Sequence, residues 1–170
     1  MIHRIYERLL HYRITRANLP RCVAVVLGSA DLSREGLSRF CQLLDWSQSV
    51  GLSTLILYVS DDRPRLCHIL KEFLASYPAQ ISLHTADDVV LTGTGGPLKV
   101  DISLGYGGKK EVVEAFRSIL RKVEEGSLEG DGIDEKTIES HLRFCQKPDL
   151  VIRAGGKRLS DFMIWQAAYS

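Results

Sequence analysis

No stretch of this 170-residue chain approaches the ~20 consecutive apolar residues that a bilayer-spanning helix needs. The opening Met1-Ile2-His3-Arg4-Ile5-Tyr6 has no apolar core of a secretory leader. Cysteine is sparse and scattered: Cys22, Cys41, Cys67 and Cys145 form no C-x-x-C pair, which argues against zinc-ribbon and thioredoxin-like patterns. They read as reduced thiols, with Cys22 and Cys41 packed as small hydrophobes. An excess of charge is missing too. The formal net charge is +1, so nothing draws the whole chain to nucleic acid, and no nucleic-acid partner is expected. These absences predict a cytoplasmic, reducing location.

What is present is ordinary globular material, with 45% apolar and 25% charged residues. The length predicts one domain over residues 1–170. Ile5, Leu9 and Leu10 lie at helical spacing among Arg4, Arg8, Arg13 and Arg16, which predicts an amphipathic basic helix within residues 1–18, ended near Pro20. Its basic face is either simply solvated, the plainer alternative, or a peripheral contact with an anionic membrane.

Cys22-Val23-Ala24-Val25-Val26-Leu27 has no polar interruption and stops at Gly28, as a strand covered on both faces does. Ser33 is placed to cap a helix carrying Leu37, Phe40, Cys41 and Leu44, which Gly51 closes. Thr54-Leu55-Ile56-Leu57-Tyr58-Val59 repeats the strand pattern, and Leu66, Ile69, Leu70, Phe73 and Leu74 make a second helical stripe. Ile81 to His84 reads as a short strand, residues 87–97 as the least ordered part, and Thr92 to Gly96 within them as a flexible turn. Leu98, Val100, Ile102 and Leu104 alternate with polar residues, which predicts an edge or interface strand. A helix striped with Val112, Phe116, Ile119, Leu120 and Val123 follows, then one capped by Asp134 that carries Ile138, Leu142 and Cys145. The alternation predicts an α/β domain with a mainly parallel sheet flanked by helices, its ligands gathered at the carboxyl ends of the strands.

One stretch concentrates the chemistry. In Asp149-Leu150-Val151-Ile152-Arg153-Ala154-Gly155-Gly156-Lys157-Arg158-Leu159-Ser160-Asp161-Phe162, a short run read as a buried strand stops at an arginine, two glycines and a basic pair. The glycines let backbone approach a ligand, while Arg153, Arg158 and Ser160 supply donors suited to phosphate oxygens.

Several segments, in order, resemble the cis-prenyltransferases, the family of undecaprenyl and dehydrodolichyl diphosphate synthases. Arg153 to Gln166 is similar to R-T-G-G-E-x-R-L-S-N-F-L-L-W-Q, and Gly105-Tyr106-Gly107-Gly108-Lys109 to N-Y-G-G-R. The stretches from Leu19 to Leu27 and from Ile133 to Leu142 resemble the segments expected before them. The resemblance implies the family's α/β fold and the Mg2+-dependent condensation of isopentenyl diphosphate onto an allylic diphosphate in a dimer. By resemblance, Arg153, Arg158 and Ser160 bind the isopentenyl diphosphate.

The departures are equally specific. After the first strand the family has D-G-N-G-R-W-A, whose aspartate organises Mg2+; here the place reads Gly28-Ser29-Ala30-Asp31-Leu32-Ser33. The glutamate after the glycines is lost to a one-residue shortening, leaving Lys157, Gly105 stands for asparagine, and Ser60-Asp61-Asp62-Arg63-Pro64 contracts F-S-T-E-N-W-x-R-P. The family pattern also runs on past Ser170, through an acidic position and an R-x-G tail. Two hard oxygen ligands are thus missing from a site built on carboxylates and phosphates.

The resemblance with these departures implies a non-catalytic subunit of a heteromeric cis-prenyltransferase making polyprenyl diphosphate. Its partner would be a catalytic homologue in a heterodimer or higher heteromer, and that partner would hold the Mg2+. No catalytic or metal-binding residue is assigned to this chain. Two alternatives stay open: an active homodimeric synthase with an altered metal site, and a module that binds prenyl diphosphate.

Overall fold

The computed structural model describes residues 19–28, 32, 34–60, 64–153 and 161–169. The predicted helix over 1–18 and the Ser33 cap lie outside these described residues. The elements run β1 (Cys22–Leu27), α1 (Arg34–Ser49), β2 (Thr54–Val59), α2 (Pro64–Leu74), β3 (Gln80–His84), β4 (Val89–Thr92), β5 (Lys99–Leu104), α3 (Gly108–Glu124), α4 (Glu135–His141) and β6 (Leu150–Arg153). Short 3-10 turns occupy Gly130–Gly132 and Gln166–Tyr169.

The sheet has the order β4-β3-β5-β2-β1-β6. All its pairings are parallel except that of β4, which runs antiparallel along the outer side of β3. This is the mainly parallel α/β sheet that the uninterrupted apolar runs predict. Such strands are buried because helices cover both faces. One face carries Val23, Val25, Leu55, Leu57, Ile81 and Ile102 under Phe40 and Leu44 of α1 and Leu66, Leu70 and Leu74 of α2. The other carries Cys22, Ala24, Val26, Ile56 and Tyr58 under Tyr106, Phe144, Phe162 and Met163. Fully buried aliphatics such as Leu44, Leu57 and Leu70 each contribute on the order of 2 kcal/mol by leaving water.

Several readings of local sequence are corrected. Residues 89–92, within the stretch expected to be least ordered, pair with β3 as a strand. The alternating strand β5 is no edge; it lies between β3 and β2. Its polar face is buried instead, where Asp101 Oδ1 lies 3.2 Å from His84 Nε2 and Asp101 Oδ2 lies 3.1 Å from Lys99 Nζ. Burial pushes the Asp101 carboxyl up, but the hydrogen bonds from His84 and Lys99 outweigh it and hold the group below its usual range. Conversely β6, read as a buried strand, is the opposite edge, with Leu150 and Ile152 each 45% exposed. In α3 the buried face is Gly108, Glu111, Ala115 and Ile119, while Phe116 and Leu120 point outward.

Asp134 does cap α4, its side chain accepting from the Thr137 amide at 2.8 Å, but the helix ends at His141, before Leu142 and Cys145. The Cys22 thiol is buried and is pushed up to about 11, first by burial and then by the charges of Asp149 and Asp101.

Candidate functional site

Parallel strands deliver their carboxyl ends to one rim of the sheet, and the crevice outside that rim is where such folds bind ligands. The register aligns Leu27, Val59 and Leu104 across β1, β2 and β5, and sets Arg153 beside Val26. The rim therefore carries Gly28, Ser60, Gly105 and Arg153. Gly105 adopts a left-handed φ of 63° and its amide donates to Val59 O at 2.8 Å, so the chain turns sharply off β5 at a position that favours glycine. Beyond it, Ser103 Oγ donates to Tyr106 O at 2.7 Å, and the Tyr106 hydroxyl donates to Glu114 Oε2 at 2.7 Å.

The two resembling blocks, far apart in sequence, meet here. The Gly108 amide donates to the backbone oxygen of Asp161, and the Lys109 amide donates to Asp161 Oδ1 at 2.9 Å. The carboxylate satisfies one amide donor at the start of α3, the backbone oxygen a second, and the negative charge complements the helix dipole. The glycines are there for space. A Cβ on Gly107 would meet Asp161 Oδ2 at 2.5 Å and Asp161 O at 2.8 Å, and one on Gly108 would meet Ile164 N at 2.9 Å.

Phe162 then stacks on Tyr58 of β2, with centroids 4.9 Å apart and planes 16° from parallel. Burial, and secondarily the Asp161 charge, push the Tyr58 phenol above its usual range. Met163 sits at a φ of 47°, unusual outside glycine, and is held where its oxygen accepts from Ala167 N at 2.8 Å.

Behind this junction lies a buried carboxylate. Glu111 of α3 is 3% exposed; its Oε1 accepts from Phe144 N at 2.7 Å and its Oε2 from Gln166 Nε2 at 3.1 Å. Burial raises its carboxyl above the usual range, although those hydrogen bonds work against the rise. Gln166 also donates to Phe144 O at 2.6 Å, so α3, the segment before β6 and the segment after Asp161 are tied together.

Of the predicted diphosphate ligands, Arg153 stands exposed at the last position of β6; Arg158 and Ser160 lie outside the described residues. Asp161 and Glu111 were missed as organising residues. The signal was available: paired glycines opening a helix leave backbone amides seeking an acceptor, and an aspartate follows the arginine-serine stretch. The run Phe162-Met163-Ile164-Trp165 divides between two roles, Phe162 and Met163 being buried and Ile164 46% exposed.

The described rim positions Gly28, Gly105 and Arg153 offer Mg2+ no carboxylate. Among the described residues no group of three or more His, Cys, Asp or Glu side chains is placed to hold a metal ion, and the strand end that would carry an acid presents Gly28.

A parallel sheet with an arginine and glycine-bearing turns at its carboxyl rim suits an anionic ligand. Residues 74–170 match the family model described as putative undecaprenyl diphosphate synthase, and the chain belongs to that prenyltransferase family. It is 30% identical to the (2Z,6E)-farnesyl diphosphate synthase of Mycolicibacterium smegmatis, over 99% of this chain and 83% of that one. It is 26% identical to the geranylgeranyl-diphosphate-specific tritrans,polycis-undecaprenyl-diphosphate synthase of Methanocaldococcus jannaschii, over 98% of this chain and 77% of that one. The latter alignment extends over 217 positions, more than this chain's 170 residues, so the chain is shortened within the shared fold. Among solved structures, lavandulyl diphosphate synthase from Lavandula x intermedia, in complex with dimethylallyl diphosphate, superimposes with a TM-score of 0.67 at 25% identity. That superposition covers 91% of this chain and 84% of the lavender one.

Proposed function

We propose that this chain is the non-catalytic subunit of a heteromeric cis-prenyltransferase, assembled with a homologue that retains the metal-organising aspartate. The observation that carries the reading is Gly28. β1 delivers a residue without a side chain to the carboxyl rim, beside the end of β6, where the resemblance calls for a carboxylate. Condensation joins the terminal alkene carbon of isopentenyl diphosphate to C1 of an allylic diphosphate, releases diphosphate and then loses a proton. Ionising the allylic C–O bond requires positive charge on the departing diphosphate, and a catalytic half-site needs several such groups placed together. This chain keeps cationic and hydroxyl donors for the other substrate, in Arg153, Arg158 and Ser160, and the partner supplies the allylic half-site with its Mg2+.

The test is reconstitution. Purified chain with Mg2+, farnesyl diphosphate and labelled isopentenyl diphosphate should give no polyprenyl product, whereas the same mixture with a co-expressed D-G-N-bearing homologue should give product above that homologue's own level. Product from the chain alone would sink the reading. It would favour the alternative of an active synthase, which has its own support in relatives named as synthases that align over nearly the whole chain.

A further inference from the structure

One position round α3 from its buried stripe, Glu114, Arg117, Ser118 and Arg121 recur at i, i+3, i+4 and i+7 and so share a side of the helix. They form one wall of a pocket of about 440 Å3, and Tyr106, His141 and Arg143 form the other. That volume is enough for a small-molecule ligand. Glu114 is the one acid among the lining residues, so three guanidiniums against one carboxylate leave an excess of two positive charges.

Arg143 is fixed in place. Its guanidinium lies 4.0 Å over the centre of the Tyr106 ring, Nη1 donates to Thr85 O at 2.6 Å, and Nη2 donates to Glu114 Oε2 at 3.3 Å. The same Glu114 oxygen accepts from the Tyr106 hydroxyl, so the one acid already has its partners. Arg117 and Arg121 differ: both are exposed, and among the described residues neither pairs with a carboxylate. Arg121 Nε reaches only the Arg117 backbone oxygen, at 3.4 Å. His141, the last residue of α4, sets Nδ1 2.7 Å from Thr137 O, which makes that nitrogen the donor. Its Nε2 is buried and meets no partner among the described residues. Leaving such an atom unpaired is costly, and a hydroxyl or a protonated phosphate oxygen would satisfy it.

This donor set suits one chemical class. Guanidinium forks pair with phosphate oxygens, and Arg117 and Arg121 stand one helical turn apart, close enough to share one anion. The walls are hydroxyl and charged groups, which favour a ligand soluble in water over one with an acyl chain. We propose that this pocket binds a small soluble ligand bearing one or more phosphate groups, held by Arg117, Arg121 and Arg143. It stands apart from the carboxyl rim and does not rest on the function proposed above. In the sheet, β2 and β1 separate β5, which leads into Tyr106, from β6, which ends in Arg153.

The probe is inorganic diphosphate, titrated calorimetrically into the full chain in an Arg153→Ala/Arg158→Ala background that silences the donors proposed at the rim. Binding should persist there, and adding Arg117→Gln/Arg121→Gln should weaken it about tenfold or more, since contacts to charged donors are lost. Lys110→Gln/Lys122→Gln removes the same charge from exposed positions of α3 outside the pocket and should leave the affinity within about twofold. A readout without those pocket substitutions is the arginine side-chain Nε–Hε NMR signals, of which those of Arg117, Arg121 and Arg143 should shift on titration. Absence of binding in the silenced background overturns the proposal, as does a titration that leaves those three signals unmoved. Equal weakening by both double substitutions overturns it too, since attraction would then be a diffuse effect of charge. Binding of phosphatidic acid vesicles without binding of diphosphate overturns it in favour of a lipid headgroup.

Discussion

At the residue scale, one tight constraint is the contact of Gly107 with Asp161. Because a methyl group there would press on the backbone oxygen of Asp161 as well as its carboxylate, relaxation has to move main chain. Gly107→Ala should cost about 1–3 kcal/mol, a fall in Tm of roughly 3–10 °C, read by thermal unfolding. Glu111 offers a different test. Its carboxyl is raised in the folded state, so the native chain binds a proton more readily than the unfolded one, whose value is the ordinary 4.5. This group therefore favours folding increasingly as pH falls through its raised native value toward 4.5, and that contribution is lost as pH rises through the same window. Glu111→Gln should flatten the pH dependence there, and Glu111→Ala should cost about 2–4 kcal/mol by stranding the Phe144 amide and Gln166. Denaturant melts across pH measure both. None of this was legible from residue types, because a glutamate among lysines in an amphipathic helix looks solvated until the segment before β6 lays a backbone amide on it.

At the scale of elements, α3 shows where pattern reading succeeds and where it slips. The 3.6-residue period fixed its existence, but Phe116 and Leu120 were assigned to the covered stripe when that stripe belongs to Ala115 and Ile119. A helix bearing apolar residues on two adjoining faces leaves its rotation undetermined, and tertiary contacts decide it. Ile119→Ala should therefore cost about 2–4 kcal/mol, while Leu120→Lys, at a side chain 56% exposed, should stay within about 0.5 kcal/mol, both by urea titration. β5 and β6 exchanged expected roles for a related reason. Alternation and continuous apolarity report which faces are covered on average, whereas strand order places β5 inside the sheet with its polar face satisfied by His84 and Lys99. β4 escaped notice because its four residues lie among glycines and threonines.

For the molecule as a whole, the mainly parallel sheet was legible because buried parallel strands leave so distinct a trace. The strand order was not, since it depends on pairings between residues far apart in sequence. Adjacent parallel strands β3 and β5 are joined by residues 85–98, which carry β4 in place of a crossover helix. The proposed diphosphate ligands are legible as a composition of donors, and of the three only Arg153 is among the described residues. If the chain retains that site, isopentenyl diphosphate at about a hundred times its Kd should add roughly 2.7 kcal/mol to stability, and Arg153→Ala should abolish most of the gain. Thermal shift with and without the ligand reads the difference, and an undiminished gain in the variant would remove Arg153 from the site.

Cys22 lies where β1 meets the residue that introduces β6, its thiol buried and pushed up to about 11. Almost no thiolate exists there at neutral pH, so an alkylating reagent has to wait for the strand pair to part. Cys145 is exposed, and Cys41 and Cys67 are partly so, and all three should label without that delay. The chain thus carries its own clock for the seam: the lag between the early thiols and the last one counts how often the edge of the sheet peels open.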